Sequence, residues 1–120
     1  MIEEIVLQHL KRALQLPILM ELPEVPSEDF PAWPERFVVI ERVGGSETDH
    51  IKSASIALQS YSICRLADAA ALDDDVKRAM PGLTEYPGVG GVRLSSNYNH
   101  TDTRTKRYRY QCVWEIYHTD

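Results

Sequence analysis

The chain has 120 residues, 43% of them hydrophobic and 26% charged, with a formal net charge of −5. This length fits one domain, and the composition is that of a globular protein, which excludes a wholly disordered chain. No apolar run approaches the about 18 residues that a transmembrane helix needs, so no such helix is expected. The cysteines are Cys64 and Cys112, and we expect two buried free thiols in a reducing compartment.

The chain opens with an apolar stripe at helical spacing, formed by Ile2, Ile5, Val6, Leu10, Ala13 and Leu14. The stripe predicts an amphipathic helix that Pro17 ends. Acidic residues at the start and the lack of a small-residue cleavage site argue against a signal peptide. The short apolar run from Ile18 to Met20 is a candidate edge strand.

Residues 21–36 contain four prolines and five acidic residues, which predicts a surface excursion and argues against a helix or a central strand. Phe30 and Trp33 lie within this excursion. Two interpretations remain open for these aromatic residues. They fold back onto the domain, or they are contact residues against another subunit, since aromatic residues are enriched in interface cores.

Strand signals follow the excursion. The run from Phe37 to Ile40 predicts a strand that is covered on both faces, and Gly44-Gly45-Ser46 is expected to turn the chain. Residues from Ile51 to Tyr61 then alternate between apolar and polar side chains, which predicts a second strand with one buried face.

A second helix is expected after these strands, with Ser62 as its N-cap and Pro81-Gly82 as its end. The residues that recur at helical spacing on its apolar face are Leu66, Ala69, Leu72, Val76 and Met80. Asp73-Asp74-Asp75 lacks the glycine and the alternating oxygen ligands of a calcium loop, so we interpret it as a solvated helix face.

The remaining segment predicts a long hairpin, with one arm from Val92 to Tyr98 and a second arm from Lys106 to Ile116. The polar residues from Asn99 to Arg104 join the arms. The predicted fold is therefore α+β: a four- to five-stranded antiparallel sheet with two helices on one face, in the order α-(β)-β-β-α-β-β. The whole chain, residues 1–120, is expected to form this single domain.

Charge is distributed unevenly along the chain. Between Arg93 and Arg109 there are five basic residues and one acid, so this stretch carries 5 − 1 = +4 and the remainder carries −5 − 4 = −9. Such a dipolar molecule suits head-to-tail contact with its own copies better than it suits nucleic acid. We interpret the basic and aromatic strip from Lys106 to Tyr110 as an intersubunit salt-bridging surface; a nucleic-acid contact and a solvated face are the alternatives.

No motif predicts an active site. His100-Thr101-Asp102 has the residue types of a catalytic triad, but adjacency in sequence does not supply the geometry of a triad, so we interpret it as a polar loop or contact surface. The histidines are dispersed, neither cysteine is in a C-x-x-C pair, and Gly88 to Gly91 does not match a phosphate-binding loop. We therefore expect a protein that is not an enzyme, with no metal and no cofactor.

Two stretches carry a recognisable pattern. One runs from Glu41-Arg42-Val43-Gly44-Gly45-Ser46 through Ile51 to Tyr61. The other runs from Leu94 to Asp102, with Lys106 to Tyr110 after it, and contains the Y-N-x-T-D-T-x-T-K-x-Y-R-Y hairpin motif. Together with the two predicted helices, they resemble the tail terminator (tail completion) proteins of phages and prophages with long non-contractile tails.

The resemblance implies a structural virion protein, a homohexameric ring that caps the tail tube, ends tail polymerisation and offers a surface for joining the head. Its implied partners are copies of itself, the tail tube protein and a head-tail joining protein, with DNA only as passing cargo and no membrane. Its implied place is the virion tail, after assembly in the host cytoplasm. Ring closure needs two different patches that meet, and the basic patch is expected to comprise Arg93, His100, Asp102, Arg104, Lys106, Arg107 and Arg109.

Two other functions remain as alternatives. One is another head-tail connector, such as a neck or stopper protein of similar size. The other is a small enzyme or ligand-binding domain, which predicts a concave pocket with converging polar groups.

Overall fold

The computed structural model describes residues 2–22, 34–101 and 107–119. The elements in chain order are α1 (Ile2–Leu14), β1 (Ile18–Leu19), β2 (Arg36–Thr48), β3 (Ile51–Ser62), α2 (Leu66–Ala79), a 3-10 helix (Met80–Glu85), β4 (Val89–Asn99) and β5 (Tyr108–His118). Phe30, Trp33, Asp102, Arg104 and Lys106, which were candidate contact residues, lie outside the described residues.

The five strands form one sheet in the order β1-β2-β3-β5-β4. The two-residue strand β1 runs parallel to β2, and every other pair of neighbours is antiparallel. Both helices pack on the same face of the sheet. The predicted α+β fold, its element order and its long terminal hairpin are confirmed. The sheet is mixed, so the expectation of an antiparallel sheet is wrong for β1, which runs parallel to β2.

The main core lies between the helices and this face of the sheet. Its largest contributors from α1, α2, the 3-10 helix, β3 and β5 are Ile2, Val6, Leu10, Leu72, Val76, Met80, Leu83, Ile56, Leu58 and Ile116. These residues occupy the helical stripe and the alternate strand positions that the sequence pattern indicates. Each fully buried aliphatic side chain contributes about 1.5–3 kcal/mol to folding.

The strand β2 is covered on both faces at its start, as its apolar run predicts. Val38 and Ile40 join the main core, whereas Phe37 and Val39 form a second cluster with Tyr61 on the opposite face. The Phe37 and Tyr61 rings stack with their centroids 4.9 Å apart. We call this opposite face, on which neither α1 nor α2 packs, the far face.

The expected turn at Gly44-Gly45-Ser46 is wrong, because these residues continue β2. The chain turns at Asp49 and His50, which have φ values of 52° and 68° and form a two-residue hairpin connection. The glycines serve a different purpose. A β-bulge shifts the register between Arg42 and Gly44, and a Cβ on Gly45 would lie 2.6 Å from the Ser53 carbonyl oxygen. Glycine is therefore needed for close backbone approach within the strand.

The predicted start of the second helix also needs correction, whereas its predicted end before Pro81 is confirmed. Ser62 is the last residue of β3, and its hydroxyl accepts hydrogen bonds from the backbone amides of Cys64 and Arg65, at 3.2 and 3.3 Å. It thus stabilises the turn that precedes α2. The helix ends at Ala79, before Pro81, which lies in the 3-10 helix.

The two thiols differ in environment. Cys112 is buried, and this burial raises the pKa of its thiol to about 12. The expectation that Cys64 is buried is wrong: it is exposed, because it lies in the turn before α2, with its sulfur 3.6 Å from a Glu35 carboxylate oxygen. Partial desolvation and the nearby Glu35 carboxylate raise the pKa of the Cys64 thiol. In the described residues, no helix combines the length and apolarity required to cross a membrane.

Candidate interaction site on the terminal hairpin

The end of the β4–β5 hairpin is held by side chains of its own motif. The Asn99 side-chain oxygen accepts hydrogen bonds from the Thr101 amide and hydroxyl, at 3.1 and 2.7 Å. The His100 amide donates to the Arg109 carbonyl at 2.8 Å, and the Arg109 amide donates to the Thr101 hydroxyl at 3.2 Å. The Asn-x-Thr part of the motif therefore has a structural role, because it fixes an Asx turn where the arms leave the sheet.

Arg109 is held against its own sheet. Its side chain donates hydrogen bonds to the His100 carbonyl at 2.8 Å and to the Tyr61 hydroxyl at 2.9 Å. Its guanidinium carbon also lies 5.5 Å from the centre of the Tyr61 ring, within the range of a cation–π interaction. Arg109 therefore stabilises the far face, and reversing its charge would perturb the fold as well as any contact with a partner.

The other described basic residues do not form one patch with Arg109. Arg107 is half-buried just before β5, two residues from Arg109 in the chain. Arg93 is exposed on β4 opposite Glu115. Because Glu115 lies six residues along β5 from Arg109, Arg93 is about 20 Å from the end of the hairpin. The described residues of the predicted basic patch are thus divided: His100, Arg107 and Arg109 lie at one end of the hairpin, and Arg93 lies near its middle.

A row of polar side chains crosses four strands of the far face. Gln59 on β3 donates through its amide to Gln111 on β5 at 3.0 Å and to Glu41 on β2 at 3.2 Å. Gln111 in turn donates to the Tyr98 hydroxyl on β4 at 2.6 Å. The two glutamines are each 8% exposed, so these bonds satisfy amides that would be costly to bury unpaired. The row was not foreseen, although the alternation of the strands places these residues on the polar face.

A second polar group lies on the helix face behind the hairpin. The Asp73 carboxylate, with its side chain only 2% exposed, accepts a hydrogen bond from the Asn97 amide at 2.9 Å and pairs with Lys77 at 3.4 Å. Asn97 also donates to the Gln111 carbonyl at 3.2 Å and accepts from Lys77 at 2.8 Å. The solvated face expected for the acidic run is therefore wrong for Asp73, because α2 directs this residue toward β4, where the Asn97 amide donates to one of its two carboxylate oxygens.

The Lys77 amine completes this group. Partial burial lowers the pKa of Lys77, but a hydrogen bond to Asp74 and the charge of Asp73 outweigh that effect and raise the pKa above its ordinary value. The amine is therefore held in its charged form beside the buried carboxylate. The group fixes the position of β4 relative to α2.

The outermost strands present different edges. At one edge β1 pairs only with Val38 and Val39, so β2 has no strand neighbour beyond Val39 in the described part of the chain. At the other edge β4 pairs only with β5. Exposed apolar side chains accompany both edges: Met20 and Leu22 follow β1, and Leu94 and Tyr98 lie on β4, with 38–46% of their surface exposed.

A surface groove lies between α1 and the loop that precedes β4. It has a volume of about 460 Å³, and its polar lining residues are His9, Arg12, Glu85 and Tyr86. The His9 ring nitrogen is 2.7 Å from the Ala79 carbonyl oxygen, and the Arg12 guanidinium lies 5.9 Å from the Tyr86 ring centre. The first contact joins α1 to the end of α2, and the second joins α1 to the loop before β4. Within residues 2–22, 34–101 and 107–119, no three metal-ligating side chains cluster.

Comparison with protein-family models and with curated proteins identified no relative of this chain.

Proposed function

We propose that this protein is a structural subunit of a long-tailed phage, a tail terminator whose copies form a ring on the tail tube. In this role it ends tube polymerisation and presents the surface to which the head is joined. Its partners would be its own copies, the tail tube protein and a head-tail joining protein. It would be assembled in the host cytoplasm and remain in the virion tail.

The observation that carries the proposal is where the two tail-terminator-like stretches lie. The first lies in the β2–β3 hairpin, and the described residues of the second, 94–101 and 107–110, lie at the neighbouring ends of β4 and β5. The order of strands brings β3 and β5 together at the centre of one sheet. Stretches that are far apart in the chain thus build a single surface, as is expected if both serve one assembly.

The sheet edges support the same role. A closed ring requires a heterologous interface, in which one patch of each subunit meets a different patch of the next. The described edges differ in this way: one is a two-residue strand followed by exposed apolar residues, and the other is the 11-residue strand β4. Exposed strand edges are frequent sites of pairing with another chain.

The direct test is assembly on purified tail tubes. Light scattering after size exclusion would measure the oligomeric state, and negative-stain imaging would show whether the protein caps the tube end. We expect ring-sized particles, capped tube ends, or both. A strict monomer that also fails to bind tail tubes would refute the proposal.

A pull-down separates the closest alternative. Immobilised protein would be offered tail tube protein and portal–adaptor complexes in parallel. Capture of tail tube protein supports a tail terminator, whereas capture of the portal complexes alone would indicate a neck or stopper protein.

A further inference from the structure

The strand registers place the two outer edges of the sheet at the same height. At one edge β1 is level with Val38 and Val39. The register across the sheet pairs Val39 with Gln59, Gln59 with Gln111, and Gln111 with Tyr98, so Val39 is level with Tyr98. By the same steps, Val38 is level with Asn99. The short strand β1 and the end of β4 therefore lie directly across the sheet from each other, four strand spacings or about 19 Å apart.

The strand directions are also compatible with continuation of the sheet. The strands β1 and β2 run in the same direction, and β4 runs opposite to β2, because three antiparallel steps separate them. If a second copy stands beside the first without being turned over, its β1 meets the first copy's β4 in antiparallel orientation. Antiparallel strands pair readily across such an edge.

The side chains at the two edges match in chemistry. Met20 and Leu22 follow β1, and Leu94 and Tyr98 lie on β4; all four are exposed large apolar residues. Glu21 is exposed between the first pair, and Arg93 is exposed beside Leu94. No ion pair of either residue is found in the described part of the chain. Apolar surface with opposite charges beside it is typical of an interface that excludes the wrong orientation.

From these observations we propose that successive copies join edge to edge, with β1 and residues 20–22 of one copy against β4 of the next. The contact is heterologous and leaves a free β1 edge and a free β4 edge on every dimer, so it can propagate around a ring. It specifies the interface of the ring subunit and rests on the function proposed above. The partner at this interface is a second copy of this chain.

Mixed cross-linking tests the pairing. In a Cys64→Ser background, one chain carries Leu22→Cys and another carries Leu94→Cys, and the two are mixed under assembly conditions on tail tubes with a short bis-maleimide. Cys112 can stay, because it is buried and its thiol pKa of about 12 keeps it unreactive. We expect a cross-linked dimer in the mixture and none with either chain alone.

The matched control moves one cysteine to the opposite end of the sheet. Ile51→Cys, at a residue that is 54% exposed, replaces Leu22→Cys in the mixture, and no cross-linking with Leu94→Cys is expected. Equal cross-linking in this control would overturn the proposed pairing. Cross-linking of Leu94→Cys with itself would overturn it too, because it would indicate a two-fold β4–β4 contact.

A second measurement keeps the two proposals distinguishable. Leu94→Lys should weaken self-association roughly tenfold to hundredfold, since burying a leucine is worth about 1.5–3 kcal/mol and each 1.4 kcal/mol is tenfold. Ile51→Lys, its matched control, should leave association unchanged. If rings or capped tubes form without the cross-link and resist Leu94→Lys, the edge interface fails and the proposed function stands. If neither self-association nor tube binding is seen, both fail.

Discussion

The buried carboxylate of Asp73 leads to the most specific stability prediction. Replacing Asn97 with alanine removes the amide that donates to Asp73 at 2.9 Å and to the Gln111 carbonyl at 3.2 Å. Lys77 remains beside the carboxylate at 3.4 Å, so the negative charge keeps one partner. The change thus removes a hydrogen bond to a charged group from a side chain that is 2% exposed.

The expected loss follows from these two bonds, because water can replace the third bond of the Asn97 side chain, which it accepts at 2.8 Å from the partly exposed Lys77 amine. A hydrogen bond to a charged group contributes about 1.5–3 kcal/mol, and a neutral one contributes about 0.5–1.5 kcal/mol. Asn97 itself is exposed, so water replaces part of what is lost, and we expect a net destabilisation of about 2 kcal/mol. For a domain of this size, that lowers Tm by roughly 8 °C.

Urea denaturation followed by circular dichroism would measure the loss, with Ser95→Ala as the matched control. Ser95 is an exposed residue of the same strand, and its substitution should change stability by less than about 0.5 kcal/mol. Asn97→Asp should be worse than Asn97→Ala at neutral pH, because it places a second carboxylate beside Asp73. If Asn97→Ala behaves like Ser95→Ala, Asp73 is not held as described, and the reasoning is refuted.

Three further outcomes are expected in urea denaturation. Burial raises the pKa of the Cys112 thiol from 9.0 to about 12, so the buried neutral thiol stabilises the fold fully below pH 9. The free energy of unfolding should then fall as pH rises from 9 toward 12, by up to about 1.4 kcal/mol per pH unit. Cys112→Ala should lack this slope, and equal slopes in the two proteins would contradict the burial of the thiol. Arg109→Ala should cost about 1–2 kcal/mol through the lost contacts with Tyr61, whereas no loss would mean that the guanidinium is solvated. Gly45→Ala should destabilise the fold by about 1–3 kcal/mol, because the added Cβ would lie 2.6 Å from its nearest neighbour. Gly44→Ala should cost much less, because its nearest neighbour is 3.6 Å away. Similar losses for the two variants would contradict the close backbone approach at Gly45.

Local patterns in the sequence were sufficient to predict much of the fold. The apolar stripe of α1, the apolar run from Phe37 to Ile40 and the alternation in β3 each describe a periodicity that one element satisfies by itself. The turn at Asp49 and His50 was missed because the glycine pair nearby is a stronger turn signal. That pair instead relieves close backbone contact across the β2–β3 ladder, which only the paired strand reveals.

The candidate site was harder to foresee, because its contacts join distant parts of the chain. The partner of Asp73 is Asn97, 24 residues further along. Helical spacing from Ala69 places Asp73 on the apolar side of α2, but it does not indicate which residue of another element donates to this carboxylate. The internal role of Arg109 depends on Tyr61, 48 residues away. The sequence therefore indicated a basic hairpin, while the division of its charges between internal bonds and exposed surface depended on strand register.

The central place of β5 has a consequence for synthesis on the ribosome. Leu58 on β3 pairs with Cys112 on β5, and β4 reaches the rest of the sheet only through β5. Until β5 has been made, the β2–β3 hairpin and β4 cannot join, and each exposes a strand edge. Such long-range pairing slows folding and exposes nascent chains to aggregation. We therefore expect the nascent chain to depend most on chaperones when the ribosome pauses before β5 has been synthesised.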